Sequence, residues 1–386
     1  MADQLNFTSP ARLMVVGVGG GGGNAVDRMF ETSVNGVELV VTNTDAQVLD
    51  VARCHRTLQI GSKLTHGLGA GGNPEVGRLA AEESRESIMD LLNGVDMVFI
   101  TAGMGGGTGT GAAPVFASIA KEAGILTTAI VTRPFSFEGV ARAEKAEAGI
   151  ARLSQAVDAL ICISNDKLLR VAPADTPITA AFEIADEVLR QGVEGISDLI
   201  TVPGMINLDF ADIESVMRGA GTAMMGIGVG TGDGKTKEAA RNAISSPLLD
   251  GSIRGARKVI MNITGGSGLT LEEVTEAASL IREAVSDRAD IIFGTAIRDS
   301  MDSVRLTVIA TGFSVSYGGE EGEESALSNE SMLARLEQES RVGSDDFDIP
   351  TYLRRGRRSP DESPRPPWGD PRGRDRDDER SNGRNR

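Results

Sequence analysis

Cysteine, histidine and long apolar runs are scarce in this chain of 386 residues. The two cysteines, Cys54 and Cys162, are too few for a disulfide framework and fit a reducing compartment. The two histidines, His55 and His66, argue against a histidine-rich metal cage or a histidine-based catalytic triad. No apolar run reaches the roughly 18 residues of a transmembrane helix, and the first residues carry no apolar signal-peptide segment. We therefore expect a cytoplasmic protein.

Basic residues are also in the minority. The 39 Lys and Arg against 55 Asp and Glu give a formal net charge of −16, which argues against binding of nucleic acid. Apolar residues make up 40% of the chain, enough for a globular core. Glycine is abundant, with 48 copies, many of them in clusters.

The hydrophobic pattern alternates between short apolar runs and amphipathic stretches, which predicts a doubly wound parallel α/β sheet. The predicted strands of this unit are 13–17, 38–43, 97–102, 125–132 and 159–164, and helices are predicted at 76–92, 110–123 and 138–156. A long helix follows at 178–200. A smaller α/β unit then has predicted strands at 223–229, 258–264, 291–297 and 305–310 and helices at 235–245 and 271–286. After Phe313 the composition becomes that of a disordered tail.

Three glycine clusters follow predicted strands or precede predicted helices. They are residues 17–24 (GVGGGGGN), 67–72 (GLGAGG) and 103–111 (GMGGGTGTG). Glycine lets backbone N–H groups approach a ligand closely, and a helix N-terminus favours negative charge, so such loops suit phosphate groups. A tight strand–helix turn is the alternative reading of the first cluster. The Walker A spacing is missing, because Val229 stands where that motif needs glycine.

The first cluster also satisfies the dinucleotide fingerprint. This leaves open a nicotinamide-dinucleotide-dependent oxidoreductase, with Asp45 as the acid on the ribose. The additional glycine loop at 103–111 argues against that hypothesis, since a dinucleotide-binding fold needs only one such loop.

Residues 105–111 (GGGTGTG) resemble the signature of the tubulin/FtsZ GTPases, in the FtsZ branch rather than the tubulin branch. Segments 17–24, 43–45 (NTD), 67–72, 165–167 (NDK) and 207–212 (NLDFAD) fall in that family's order, and the resemblance covers about 11–313. It implies a GTPase that binds GTP or GDP with Mg²⁺ held mainly by phosphates and water. It also implies a cytoskeletal protein that forms the division ring at midcell, on the inner face of the membrane.

The resemblance also implies a set of nucleotide-binding residues. These are Gly20, Gly21, Gly22, Gly23, Asn24, Asn43, Asp45, Ala70, Gly71, Gly72, Gly103, Gly107, Thr108, Gly109, Thr132, Glu138, Arg142, Asn165, Phe182 and Asp186. Within this set, Glu138 and Arg142 would open a helix and contact ribose and phosphate, Asn165 and Asp186 would bind the guanine edge, and Phe182 would stack on it. From the residues alone, Phe182 could instead be core, Glu138 a favourable first-turn acid and Asn165 a turn residue.

The resemblance assigns catalysis to Asn207, Asp209 and Asp212, in a loop that enters the nucleotide site of the next subunit. The spacing of Asp209 and Asp212 equally fits a helix N-cap with an acid at its third position. If the family's arrangement holds, head-to-tail contacts form filaments and hydrolysis requires assembly. A non-hydrolysing structural homologue is the remaining alternative, and the intact acids argue against it.

With these assignments, the predicted boundaries are a disordered N-terminus at 1–10, a GTP-binding domain at 11–177, a central helix at 178–202, a C-terminal GTPase-activating domain at 203–315, an acidic disordered linker at 316–344, a partner-binding peptide at 345–358 and an Arg/Pro-rich extension at 359–386. Residues 345–355 (DDFDIPTYLRR) resemble the family's peptide for membrane-linked division adaptors and regulators. Arg354, Arg355, Arg357 and Arg358 would add attraction to anionic membrane or an acidic adaptor. A solvated, self-neutralising tail is the alternative.

Overall fold

The computed structural model describes residues 11–34, 36–169, 173, 175–202, 206, 208–249, 251–285, 288–298 and 301–313. The predicted N-terminus, linker, partner peptide and extension lie outside these residues. So does Asn207.

Ten strands within the described residues form one sheet in the order β3-β2-β1-β4-β5-β6-β7-β10-β8-β9. The strands are β1 (Leu13–Val18), β2 (Val37–Asn43), β3 (Arg56–Gln59), β4 (Met97–Gly103), β5 (Leu126–Arg133), β6 (Ala159–Ser164), β7 (Gly221–Gly230), β8 (Lys258–Gly265), β9 (Asp290–Ile297) and β10 (Val304–Thr311). Strands β1 to β6 are all parallel in the order 3-2-1-4-5-6 of a doubly wound fold, so the predicted fold class is confirmed.

The described helices lie between these strands. They are α1 (Gly19–Glu31), α2 (Ala46–Val51), α3 (Ser62–Thr65), α4 (Pro74–Glu83), α5 (Arg85–Leu92), α6 (Thr108–Glu122), α7 (Val140–Ala156), α8 (Asn165–Leu168), α9 (Ile178–Thr201), α10 (Phe210–Met217), α11 (Lys235–Ile244) and α12 (Leu271–Ala284). None of the described helices is long and apolar enough to cross a membrane.

Side chains alternate between the two faces of the parallel sheet, and both faces are apolar because helices cover both of them. Val15 of β1 packs with α1 and α9 on one face, whereas Val16 packs with α4 to α7 on the other. Strands covered on both sides read as continuous apolar runs, which is why they were predictable from sequence.

Helix α9 runs from the carboxyl ends of the parallel strands to their amino ends. Its first turns carry Phe182, beside the carboxyl ends of β1 and β4. Its last residue, Thr201, lies against Gly36, just before β2 begins at the opposite edge. At 1.5 Å per residue, its 24 residues span about 36 Å.

Paired charges hold α9 against the C-terminal half. Arg190 donates to Glu194 at 2.7 Å, and Arg298 donates to Asp198 at 2.8 Å. Arg305 of β10 donates to Glu194 at 3.1 Å. Buried carboxylates need such partners because an unpaired buried charge is strongly destabilising. The network therefore connects the central helix to β9 and β10.

The smaller α/β unit continues the same sheet. Strand β7 pairs in parallel with β6 through residues 221–223 and antiparallel with β10, and β10 in turn pairs antiparallel with β8. Helices α11 and α12 cover one face of this part with an apolar cluster of their own. Thr270 and Glu273 form a capping box at the start of α12.

Several local predictions were wrong. The helix predicted at 76–92 is two helices, α4 and α5, which meet at Ser84. Helix α6 begins at Thr108, two residues before its predicted start at 110, and Pro114 lies in its interior. The short elements α2, β3 and α3 were missed, since four to six residues carry too little periodicity.

Candidate functional site

The first and third glycine clusters along the chain meet at the carboxyl edge of the sheet. Helix α1 begins at Gly19 and α6 at Thr108, and neither N-terminus is capped by a side chain. Gly19 has a φ of +73°, and a Cβ on it would lie 2.8 Å from the backbone nitrogen of Gly109. Two helix N-termini with free N–H groups thus lie side by side, which is a site for anionic groups.

The remaining cluster, residues 67–72, packs on the glycine loop that leads into α6. A Cβ on Gly107 would lie 2.8 Å from the Cβ of Ala70. Gly71 and Gly72 have φ values of +56° and +68°, with nothing within 4 Å of an added Cβ. The outer side of this loop is therefore open, while its inner side is fixed against the start of α6.

Thr44 connects these loops and was missed by sequence reasoning. Its hydroxyl lies 2.7 Å from the hydroxyl of Thr108, and both residues are buried. Its carbonyl accepts a hydrogen bond from Gly69 N at 3.3 Å. Its position between two predicted residues, Asn43 and Asp45, was the available signal.

Asn43 and Asp45 shape the backbone at the end of β2. The Asn43 side-chain oxygen accepts hydrogen bonds from the backbone nitrogens of Thr44 at 2.8 Å and Asp45 at 3.3 Å. The Asp45 carboxylate caps α2 through Gln47 N at 3.0 Å. Both side chains thus have structural partners, and nucleotide contact by either stays a prediction.

A cavity beside the first glycine loop brings together many of the residues predicted to bind the nucleotide. Among its lining residues are Gly21, Asn24, Gly103, Thr132, Glu138, Arg142, Asn165, Phe182 and Asp186. They come from α1, β4, β5, the segment before α7, α7 itself, α8 and α9. The topology therefore gathers at one place residues that are far apart in the chain.

The prediction that Glu138 opens α7 is wrong. Glu138 ends a short 3-10 helix (Ser136–Glu138), and Gly139 with a φ of +97° separates it from α7. The Glu138 carboxylate accepts a hydrogen bond from Phe135 N at 2.8 Å and pairs with Arg142 at 3.0 Å. This ion pair fixes both side chains at the rim of the cavity.

Phe182 is part of an aromatic cluster at the rim rather than the core. Its ring packs edge-to-face on Phe135, with centroids 5.3 Å apart, and it remains 39% exposed. The reading of Phe182 as a core residue is therefore wrong. A ring held at its edge with a partly exposed surface can stack on a planar ligand.

Two side chains that can accept hydrogen bonds, Asn165 and Asp186, line this cavity. Asn165 is buried, and its side-chain oxygen has no partner among the described residues. Burial raises the pKa of Asp186 to about 7, although Arg28 opposes this shift and Glu183 adds to it. A ligand edge that donates hydrogen bonds would satisfy both side chains.

The predicted catalytic acids lie elsewhere. Asp209 accepts a hydrogen bond from Asp212 N at 2.8 Å, and Asp212 accepts one from Asp209 N at 3.3 Å, which caps α10 reciprocally. Both residues follow the far end of α9, and that end lies about 28 Å along the helix from Phe182 at the cavity. One chain therefore does not bring these carboxylates to its own glycine loops.

Comparisons with known proteins match both halves of the chain. The GTPase domain of the Tubulin/FtsZ family matches residues 12–173, and the C-terminal domain of the FtsZ family matches residues 221–314. An FtsZ dimer from M. jannaschii is 44% identical, with 79% of this chain and 89% of that chain covered and a TM-score of 0.77. A GTPγS-bound protofilament of CetZ2 from Haloferax volcanii is 19% identical, with 84% of this chain and 99% of that chain covered and a TM-score of 0.66. At this identity the match shows a likeness of fold alone.

Proposed function

Since this chain belongs to the FtsZ family of tubulin-like GTPases, a family of cytoskeletal proteins, we propose that it binds and hydrolyses GTP and polymerises head-to-tail into filaments. The family membership gives no support to the nicotinamide-dependent oxidoreductase. The observation that carries the proposal is the placement of the glycine loops and the α10 acids at opposite ends of α9.

The base would occupy the cavity at the start of α9. A guanine edge presents neighbouring N–H donors, which suit the Asp186 carboxylate, and Asn165 offers an unpaired acceptor beside it. Phe182 offers a ring face for stacking. Glu138 and Arg142, joined as an ion pair, would contact the sugar and the first phosphate.

The phosphates would follow the glycine loops outward from this cavity. Gly21 and Gly103 line the cavity itself. Moving away from the cavity, the next pair is Gly19 and Gly109, which contact each other. Gly107 and the 67–72 loop, which pack together, lie furthest from the cavity. The free N–H groups of the α1 and α6 N-termini would donate to the phosphate oxygens. The terminal phosphate would thus border Ala70, Gly71 and Gly72.

A magnesium ion fits this site through the phosphates rather than through a protein cage. Among the described residues, no cluster of three or more His, Cys, Asp or Glu side chains could hold a metal. Mg²⁺ commonly keeps several waters and binds phosphate oxygens. When bound it would offset negative charge on the phosphates.

The α10 acids would complete the site of the neighbouring subunit. Asp209 is exposed and Asp212 half-buried at the far end of the molecule, so a head-to-tail neighbour can bring them to the terminal phosphate. There, together with Asn207, they would orient and polarise the attacking water. Such a heterologous contact does not close on itself and therefore builds a filament.

The test is phosphate release and light scattering followed together over a range of protein concentrations. We expect specific activity to rise with concentration, because the site is shared between subunits. Asp212→Asn keeps a capping acceptor for α10 but removes the charge, so it should lower turnover strongly and leave GTP affinity of the monomer unchanged. Asp233→Asn, at another exposed aspartate, is the matched control. Full turnover by a monomeric preparation would refute the shared site.

At the cellular level, we propose that these filaments form the division ring at midcell, in the cytoplasm beneath the membrane. The tail peptide at 345–355 would dock on membrane-linked adaptors as a short apolar segment that folds on binding. The arginines at 354, 355, 357 and 358 would add attraction to anionic lipid. Sedimentation of the full chain with anionic vesicles, with and without these four arginines, tests the last point, and salt-insensitive binding or none would refute it.

A further inference from the structure

A lysine of α7 reaches across to the outermost glycine loop. Lys145 Nζ donates a hydrogen bond to the carbonyl oxygen of Gly72 at 2.8 Å, although the two residues are 73 positions apart. Lys145 shares a helix face with Arg142 and Gly149, which lie three and four residues away. Gly149 lies close to Thr110 of α6, and Arg142 lies close to Gly105. The packing of α7 on α6 thus directs Lys145 to the 67–72 loop.

The charge of Lys145 is not neutralised by a carboxylate. Within the described part of the chain, no ion pair includes Lys145 at 4 Å or less, whereas its neighbour Arg142 is paired with Glu138 at 3.0 Å. The hydrogen bond to a neutral carbonyl leaves the positive charge available. This charge lies at the outer end of the phosphate path, beside a loop whose outer side is open.

We propose that Lys145 is a positioning residue that makes the site prefer a nucleoside triphosphate over the diphosphate. It holds the 67–72 loop by the Gly72 carbonyl and places a positive charge where the terminal phosphate would lie. A diphosphate lacks that phosphate and gains little from the charge. This inference rests on the proposed nucleotide site.

The test compares the affinities of GDP and a non-hydrolysable GTP analogue by calorimetry, at protein concentrations where light scattering shows no assembly. Lys145→Met should weaken binding of the GTP analogue about fivefold and leave GDP affinity within about twofold. Lys145→Arg should restore the preference, because the charge and a donor return. Arg152→Met is the matched control, since Arg152 lies two turns further along the same face and donates to its own helix backbone at Ala148.

Three results would overturn the inference. Equal weakening of both ligands by Lys145→Met, without recovery in Lys145→Arg, would mean that the lysine only supports the loop. Unchanged affinities for both ligands would mean that the charge has no effect. A wild-type protein that binds neither nucleotide would instead refute the proposed function, and this inference with it.

Discussion

Guanine nucleotide affinity should depend on pH through a single carboxyl group, Asp186. Burial in the base cavity raises the pKa of Asp186 from 3.8 to about 7. Arg28 on α1 lowers this pKa, and Glu183 one turn earlier on α9 raises it. Asp27 and Glu31 on α1 line the adjoining cleft, and Glu138 and Arg142 line the cavity from the other side.

The direction follows from the chemistry of the ligand edge. Guanine presents neighbouring N–H donors, and a carboxyl group offers both of its oxygens as acceptors only when it is ionised, because protonation turns one oxygen into a donor. Bound nucleotide therefore favours the ionised form of Asp186 and releases a proton where the free protein holds one. Affinity rises as the pH rises and reaches a plateau above the pKa of the free site.

A pKa of about 7 determines the magnitude. Half of the free sites are ionised at pH 7 and about one in eleven at pH 6, so affinity at pH 6 is about tenfold below the plateau.

The stability of the nucleotide-free fold has the opposite trend. The folded carboxyl binds its proton more tightly than the unfolded one, so its contribution to stability falls as the pH rises from about 4 to about 7.

The assay is calorimetric titration of GDP between pH 5.5 and 8.5, in two buffers whose ionisation enthalpies differ so that released protons are counted. Asp186→Asn should flatten the profile. Arg28→Gln should move the midpoint to higher pH and Glu183→Gln to lower pH, because the two neighbours act in opposite directions. Glu31→Gln, in the adjoining cleft, is the control and should leave the midpoint in place. A wild-type affinity that is flat from pH 6 to 8 would refute the reasoning.

Three further predictions concern stability, measured as the urea midpoint without nucleotide. Gly111→Ala should cost about 3 kcal/mol, because its Cβ would lie 1.9 Å from the Pro74 carbonyl oxygen where α4 crosses α6. Arg298→Met should cost about 2 kcal/mol and raise the pKa of Asp198 above its present value of about 6, with the loss larger at higher pH. Thr44→Val should cost about 1–2 kcal/mol, since it leaves the buried hydroxyl of its threonine partner on α6 unpaired.

Each of these variants has a control. Gly106→Ala introduces a methyl group with nothing within 4 Å and should be nearly neutral. Arg241→Met removes an exposed arginine of α11 and should change stability by less than about 0.5 kcal/mol. Thr44→Ser keeps the hydroxyl. If a control loses as much stability as its partner variant, the assigned contact is not the cause.

Much of the fold was accessible from sequence because its signals are local. The apolar runs of β1 and β4 reflect burial on both faces, and the helix predicted at 271–286 begins where α12 does, at Leu271. The break at Gly139 was missed, because a single positive φ leaves no trace in the hydrophobic pattern. The domain boundaries and the nucleotide contacts stay predictions.

The sequence by itself determined nine of the ten described strands and the glycine loops, since each depends on residues close together in the chain. Only the tertiary structure decided which loops meet. It joined Thr44 to Thr108 and Lys145 to Gly72, pairs that are 64 and 73 positions apart. It also buried Asp186 and placed the α10 acids at the other end of α9. Desolvation and distance depend on how the whole sheet and its helices pack, and no short segment of the chain contains that information.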